Sequence, residues 1–165
     1  MKSRSSIILA ALAVAACART PQRPTGMAAA APESITYETG ACFGRCPVYS
    51  VTVRSDGTGT FDGKRFTQVS GSRDFTLTPT EYAAFAKRLV PYRPNGERLY
   101  KPGQAICANY ATDMRSVDVR WSGAGGGDHL YVYFGCDRQK NAAMFDAVGG
   151  AVDALPLESL IGAQP

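Results

Sequence analysis

The chain has almost no histidine, a single tryptophan and no long apolar run. His129 is the one histidine among 165 residues. Any Ser-His-Asp triad would have to use it, and no Gly-x-Ser-x-Gly elbow is present to present a serine. Cys-x-x-Cys, the usual spacing of a thiol redox catalyst, is also missing. The acidic residues show no metal-binding spacing. The glycine run "SGAGGGD" is followed by no Gly-Lys-Ser/Thr and by no helix, so it is not a phosphate cradle. These absences point to a non-enzymatic protein that needs no cofactor. Charge excludes another class. Eighteen basic residues face fourteen acidic ones, a formal balance of +4, which gives no basis for a nucleic-acid partner.

What is present begins at the amino terminus. "MKSRSS" supplies Lys2 and Arg4, and "IILAALAVAA" runs apolar from Ile7 to Ala16. Ten apolar residues fall short of the roughly 20 that a spanning helix needs. A basic start, a short apolar stretch and small residues before a cut site fit a signal peptide over 1–16. "LAVAAC", with Val14, Ala15 and Ala16 before Cys17, resembles the lipobox of bacterial lipoproteins. That resemblance implies a diacylglycerol on Cys17, cleavage before it and acylation of the new amino terminus. Each buried methylene adds about 0.8 kcal/mol, so several chains tether a protein far better than one. Ala18, where an aspartate would favour the inner membrane, implies an outer-membrane anchor facing the periplasm.

Residues 17–34 then read as the lipidated cysteine and a linker. Pro21, Pro24 and Pro32 beside an alanine run argue against a packed element. At about 3.1 Å per residue such a linker reaches up to ~50 Å. Residues 35–165 suit one domain with its own core.

Strand signals dominate its first half. "ITYETG" reads as a strand, and in "VYSVTVR" Tyr49, Val51 and Val53 alternate with polar residues. Asp56-Gly57 predicts a hairpin turn into "TGTFDG", closed by Asp62-Gly63. "RFTQVSG" and "RDFTLT" extend the meander about Gly71-Ser72. "TPTEYAAFAKRLV" predicts a helix with Thr78 as N-cap, Pro79 at the first position and Glu81 at the third. Tyr82, Phe85, Ala86 and Leu89 form its apolar stripe, and Pro91 and Pro94 stop it. The stretch from Tyr92 to Asp113 reads as irregular. Its Arg93, Arg98 and Lys101 beside Tyr92 and Tyr100 offer an anion or glycan site, against the plainer reading of a solvated loop. "SVDVRW" and "HLYVYF" are strands, burying Val117, Val119 and Trp121, and Leu130, Val132 and Phe134. Tyr131 and Tyr133 point the other way, where tyrosines suit a partner surface. A last helix spans about Arg138 to Leu155, weakened by Gly149-Gly150. The sum is an α+β domain: an antiparallel β-meander sheet with two helices packed on one face.

"CFGRCPVY", the Asp56-Gly57 turn, the Phe61-Asp62-Gly63 hairpin and Thr112-Asp113 together resemble the bacterial family called domain of unknown function 6438. The resemblance rests on Cys42, Phe43, Gly44, Cys46, Pro47 and Tyr49 and covers about Ile35 to Trp121. It implies no activity, because the family has none to carry over. Cys107 and Cys136 depart from the pattern and suggest an added disulfide.

With Cys17 lipidated, four cysteines remain in an oxidising compartment, an even number that points to disulfides. Pairing Cys42 with Cys46 needs the segment to curl, which Gly44 allows, because an extended strand would hold the alpha carbons about 13 Å apart. Cys107 and Cys136 flank the second hairpin and would then pair, with crossed pairings as the alternative. A rival reading is copper or zinc handling by Cys42, Cys46 and His129, since two thiolates and an imidazole suit Cu(I) or Zn. Redox catalysis is weaker, because no helix begins at the cysteines to lower a thiol pKa. The functional expectation is a membrane-tethered binding or scaffolding module with an envelope protein or glycan partner. Oligomeric state is not legible. The tether is directly testable: cells fed an alkyne-tagged fatty acid should label the wild-type chain, and Cys17→Ser should carry no label.

Overall fold

The computed structural model describes residues 33–123 and 126–162. The expected signal peptide, Cys17 and most of the expected linker lie outside the described residues. The first half is a four-strand meander, β1 (Ser34–Thr39), β2 (Val48–Arg54), β3 (Thr58–Arg65) and β4 (Gly71–Thr76). Helix α1 (Pro79–Leu89) and a 3-10 turn at Val90–Tyr92 lead to β5 (Glu97–Tyr100). A hairpin, β6 (Ser116–Gly123) and β7 (Gly126–Tyr133), precedes α2 (Ala142–Gly149) and the short α3 (Glu158–Ile161). All seven strands form one sheet in the order β4-β3-β2-β1-β6-β7-β5. Only the β5–β7 pair is parallel. The fold is thus α+β on a mostly antiparallel sheet.

Period-two alternation sets which face is buried. β1, β2 and β6 bury Tyr37, Val51, Val53, Val119 and Trp121. Their other faces carry Thr36, Thr52 and Arg120 in one cross-strand row. The Thr36 and Thr52 hydroxyls meet at 2.9 Å. The Asp56-Gly57 turn forms as the sequence predicts. Gly57 takes φ +86, a region costly for side chains, while Asp56 accepts a hydrogen bond from the Thr58 N–H. The capping box at Thr78 also forms, with the Thr78 N–H donating to Glu81 at 2.6 Å. Those bonds hold the Glu81 carboxyl below its usual range.

Four expectations need correction. "RFTQVSG" is not a strand, because β3 runs on through Arg65 and residues 66–70 form the connection. Asp62-Gly63 therefore sits inside β3, paired with Ser72 and Gly71, instead of closing it. β5 lies within the stretch read as irregular. The last helix begins at Ala142, ends at Gly149 and continues only as a 3-10 turn over Ala151–Ala154. Paired glycines favour that break, each costing about 1 kcal/mol within a helix.

Tyr37 is fully buried on β1. Its ring meets Phe85 of α1 edge-on at 6.2 Å, and its hydroxyl donates to the Val148 carbonyl of α2 at 3.1 Å. Tyr49 packs on Phe61 at 5.4 Å. Burial raises both phenols, Tyr37 far above its ordinary value and Tyr49 to about 12. Because the folded state keeps these protons longer than the unfolded chain, their contribution is complete below about pH 10 and is lost as pH rises beyond it. Urea midpoints should therefore fall between pH 9.5 and 12, and Tyr37→Phe should flatten that fall; an unchanged slope would count against a buried phenol.

Candidate functional site

Register fixes which loops share an end of the sheet. Ser34 pairs with Arg54 and Ser122, so the start of β1 lies beside the Asp56-Gly57 turn. The other end collects the close of β1, the start of β2, the close of β3, the start of β6 and the close of β7. A six-residue strand sets these ends about 20 Å apart.

Both cysteine pairs are at this second end. Cys42 is disulfide-bonded to Cys46 with alpha carbons 5.8 Å apart. Cys107 is bonded to Cys136 with alpha carbons 5.0 Å apart. The closed loop carries Phe43 at its tip, 87% exposed. The Phe43 N–H donates to the Asp113 carbonyl at 3.0 Å, which ties the loop to the segment before β6. The Ala111 N–H donates to the Gly135 carbonyl and the Asp137 N–H to the Asn109 carbonyl, binding that segment to the close of β7. The two bridges therefore brace adjoining loops.

Among the described residues, three of the four exposed large apolar side chains are on these loops: Phe43, Phe66 and Tyr110. Phe66 follows β3 and has φ +55. For a phenylalanine this left-handed backbone costs about 1–2 kcal/mol. Arg45 lies 5.4 Å and Arg65 5.0 Å from its ring centre, within cation–π range. Asp113 at φ +63 and Asp137 at φ +41 are the other two non-glycine residues of this kind among the described residues. Asp137 accepts from Asn109 and from the Ala108 N–H, and the Asn109 bond leads the causes that hold its carboxyl below the usual range. Strained residues gathered at one place mark a site that the surrounding structure over-determines.

The remaining sequence candidates are dispersed. His129, on β7, is mostly buried, with Nδ1 2.8 Å from Glu97 and Nε2 2.9 Å from Asp118. Its two nitrogens already face carboxylates, and the Cys42 and Cys46 sulfurs are bonded to each other. Among the described residues no group of three histidine, cysteine or acidic side chains is placed to hold a metal. The copper or zinc reading thus finds neither free thiolates nor a free imidazole. Arg93 does not join Arg98 and Lys101 in an open anion site. It pairs with Asp128 at 2.6 Å and Glu33 at 2.8 Å, and lies 5.6 Å from the Trp121 ring centre. Hydrogen bonds from Gly96 and then Arg93 hold the Asp128 carboxyl low. Tyr131 and Tyr133 are partly covered, and the Tyr133 hydroxyl accepts from the Met114 N–H at 3.1 Å.

Sequence reasoning missed Phe66, Arg65 and Tyr110. "KRF" beside an assumed strand gave the ring an ordinary alternating place. Only the end of β3 and the left-handed turn after it bring Phe66 out.

A sequence model described as domain of unknown function (DUF6438) matches residues 33–149, and the chain belongs to that family. No curated protein matches the chain. Both disulfides fall within the matched residues. Opening the Cys107–Cys136 bridge with Cys107→Ala and Cys136→Ala should cost about 3–4 kcal/mol in the chain-entropy account, and opening Cys42–Cys46 about 2. Urea unfolding of each double variant measures the order, which equal losses would contradict.

Proposed function

We propose that this chain is a lipid-tethered, non-enzymatic binding or scaffolding module of the bacterial cell envelope, facing the periplasm from the outer membrane. Its anchor is lipid on Cys17, and its partner is an envelope protein or glycan. The export-type start, the lipobox likeness and the proline-bearing linker support the tether. Two disulfides suit an oxidising compartment. In this reading both main helices pack on one sheet face, which the contacts of Tyr37 with Phe85 and Val148 support.

One observation carries the binding role. Phe43 stands 87% exposed on a covalently closed loop whose Arg45, with Arg65, lies over the Phe66 ring. An aromatic exposed singly is ordinary, but three on braced neighbouring loops form a rigid contact surface. Aromatic and arginine side chains dominate the energetics of most interfaces. β1 enters from the opposite end, so the linker leaves the aromatic end free to face away from the membrane.

Photo-crosslinking in intact cells tests this. A photoreactive residue at Phe43, Phe66 or Tyr110 should give a discrete adduct, and one at Asp56, on the far turn, should not. Equal adducts from both ends would refute the assignment, as would specific turnover of a substrate by the full chain.

A further inference from the structure

A second surface, beyond the aromatic loops, has the make-up of a ligand pocket. A groove of about 710 Å³ runs between the start of β2, the Gly149-Gly150 break and the chain after it. That volume is in the range of small-molecule sites. Its apolar walls come from Phe145, Val152, Leu155 and Leu157.

Two polar groups in it lack partners. Tyr49 is 4% exposed and lines the groove, yet its hydroxyl makes no hydrogen bond among the described residues. That oxygen opens onto the groove, since among the described residues the one fully enclosed side-chain polar atom without a partner is the Trp121 Nε1. The register shift between Val48 and Tyr49 leaves Lys64 of β3 as the extra residue, while Tyr49 stays in the ladder opposite Gly63. Burial keeps the phenol protonated, and so a donor, well past neutral pH. Arg115 is the second group. Its side chain is exposed and has no ion pair among the described residues, and its guanidinium carbon lies 4.7 Å from the Phe134 ring centre. Gly149 makes room for it. A Cβ there would sit 2.9 Å from the Arg115 Nη2 and 3.0 Å from the Phe134 ring. The ring and the glycine thus leave space for the exposed charge at the edge of the groove.

The lining is also acidic. Asp146, Asp153 and Glu158 line the groove with Arg115, and Arg138 lines the adjoining cavity. Asp153 is only loosely engaged, 3.8 Å from Arg88. Three carboxylates around one cation disfavour a phosphate or other polyanion. They accommodate a ligand that brings its own positive charge. Beyond Arg115 and Asp146 an adjoining cavity of about 580 Å³, with Met114 and Phe134 in its wall, leaves room for a side chain.

We propose that this groove binds a small zwitterion, a free amino acid or a short peptide, with its carboxylate on Arg115 and the Tyr49 hydroxyl and its ammonium toward Asp146 and Asp153. A carboxylate accepting from a guanidinium and a phenol gives both donors a charged acceptor in place of water. The residues past Gly149 that close the groove lie beyond the family match.

Isothermal titration of the full chain with the twenty L-amino acids, D-alanine, D-glutamate and their dipeptides tests it. At least one zwitterion should bind. Its N-acetyl and its carboxamide forms should each bind at least about tenfold more weakly. Tyr49→Phe should weaken binding by about tenfold without lowering the thermal midpoint, since it removes an unpaired hydroxyl and keeps the ring. Arg115→Gln should abolish it. No binding by any of these probes at about 10 mM would overturn the proposal. So would a blocked form binding as well as the parent, wild-type affinity in Tyr49→Phe, or displacement by inorganic phosphate.

Discussion

The hydrogen bond from the Tyr37 hydroxyl to the Val148 carbonyl is the contact on which the rest of the domain rests. β1 is the fourth of seven strands, paired with β2 on one side and β6 on the other. It joins the amino-terminal meander to the later hairpin, and no other strand touches both. Val148 is in the last turn of α2, where its carbonyl accepts from the cap N–H of Gly150. The phenol supplies a second donor from the middle of the sheet. Removing it would cost about 0.5–1.5 kcal/mol. The same ring abuts Phe85 of α1, so a single side chain sets two helices against the sheet.

Around this centre the two ends of the sheet have diverged. One end has the tight Asp56-Gly57 turn and the entry of the chain, tied by the Ser55 N–H to the Glu33 carbonyl at 2.9 Å. The other has longer loops, both disulfides, the three left-handed non-glycine residues and three exposed aromatics. Long loops ordinarily lose entropy when they bind. Covalent closure and the Phe43–Asp113 bond remove that cost in advance. Strain at Phe66 is tolerable on such a frame and would be relaxed away on a loose one.

Much of this was legible in the residues, and the failures have specific causes. Alternation in "VYSVTVR" and "SVDVRW" placed β2 and β6 because each has one buried face, which imposes period two. Thr78, Pro79 and Glu81 placed the helix start because capping is local chemistry. β5 escaped because its pairing is parallel and at an edge: "ERLY" carries charge on both faces and is a strand only because β7 is beside it. β3 was cut short because Asp62-Gly63 has turn chemistry, yet Gly63 lies in the ladder opposite Tyr49, under the Thr67 and Val69 connection, where a side chain would clash. The cysteine residues were legible as staples, but the loop surface they brace was not. It needs the register that brings residues 43, 66 and 110 to one end. The groove was less legible still, since Tyr49, Arg115 and Gly149 are far apart in sequence and each has an ordinary local role.

The Cys107–Cys136 bridge connects the two surfaces. Cys136 is two residues beyond Phe134, whose ring supports Arg115, and its backbone bridges to Tyr110 on the loop side. The Phe134 N–H donates to the Arg115 carbonyl at 3.1 Å, so the strand that presents the ring also fixes the arginine's backbone. A shift at residue 136 would therefore be felt by the aromatic end and by the groove together. Both sulfur-bearing residues are buried, whereas Cys42 and Cys46 are only half covered. Thiol exchange requires access to a sulfur, so a reductant should open the loop bridge first and leave the bridge between the two surfaces in place. The more exposed staple thus governs Phe43 and the Arg45 contact with Phe66, and the shielded one governs the architecture that both surfaces share.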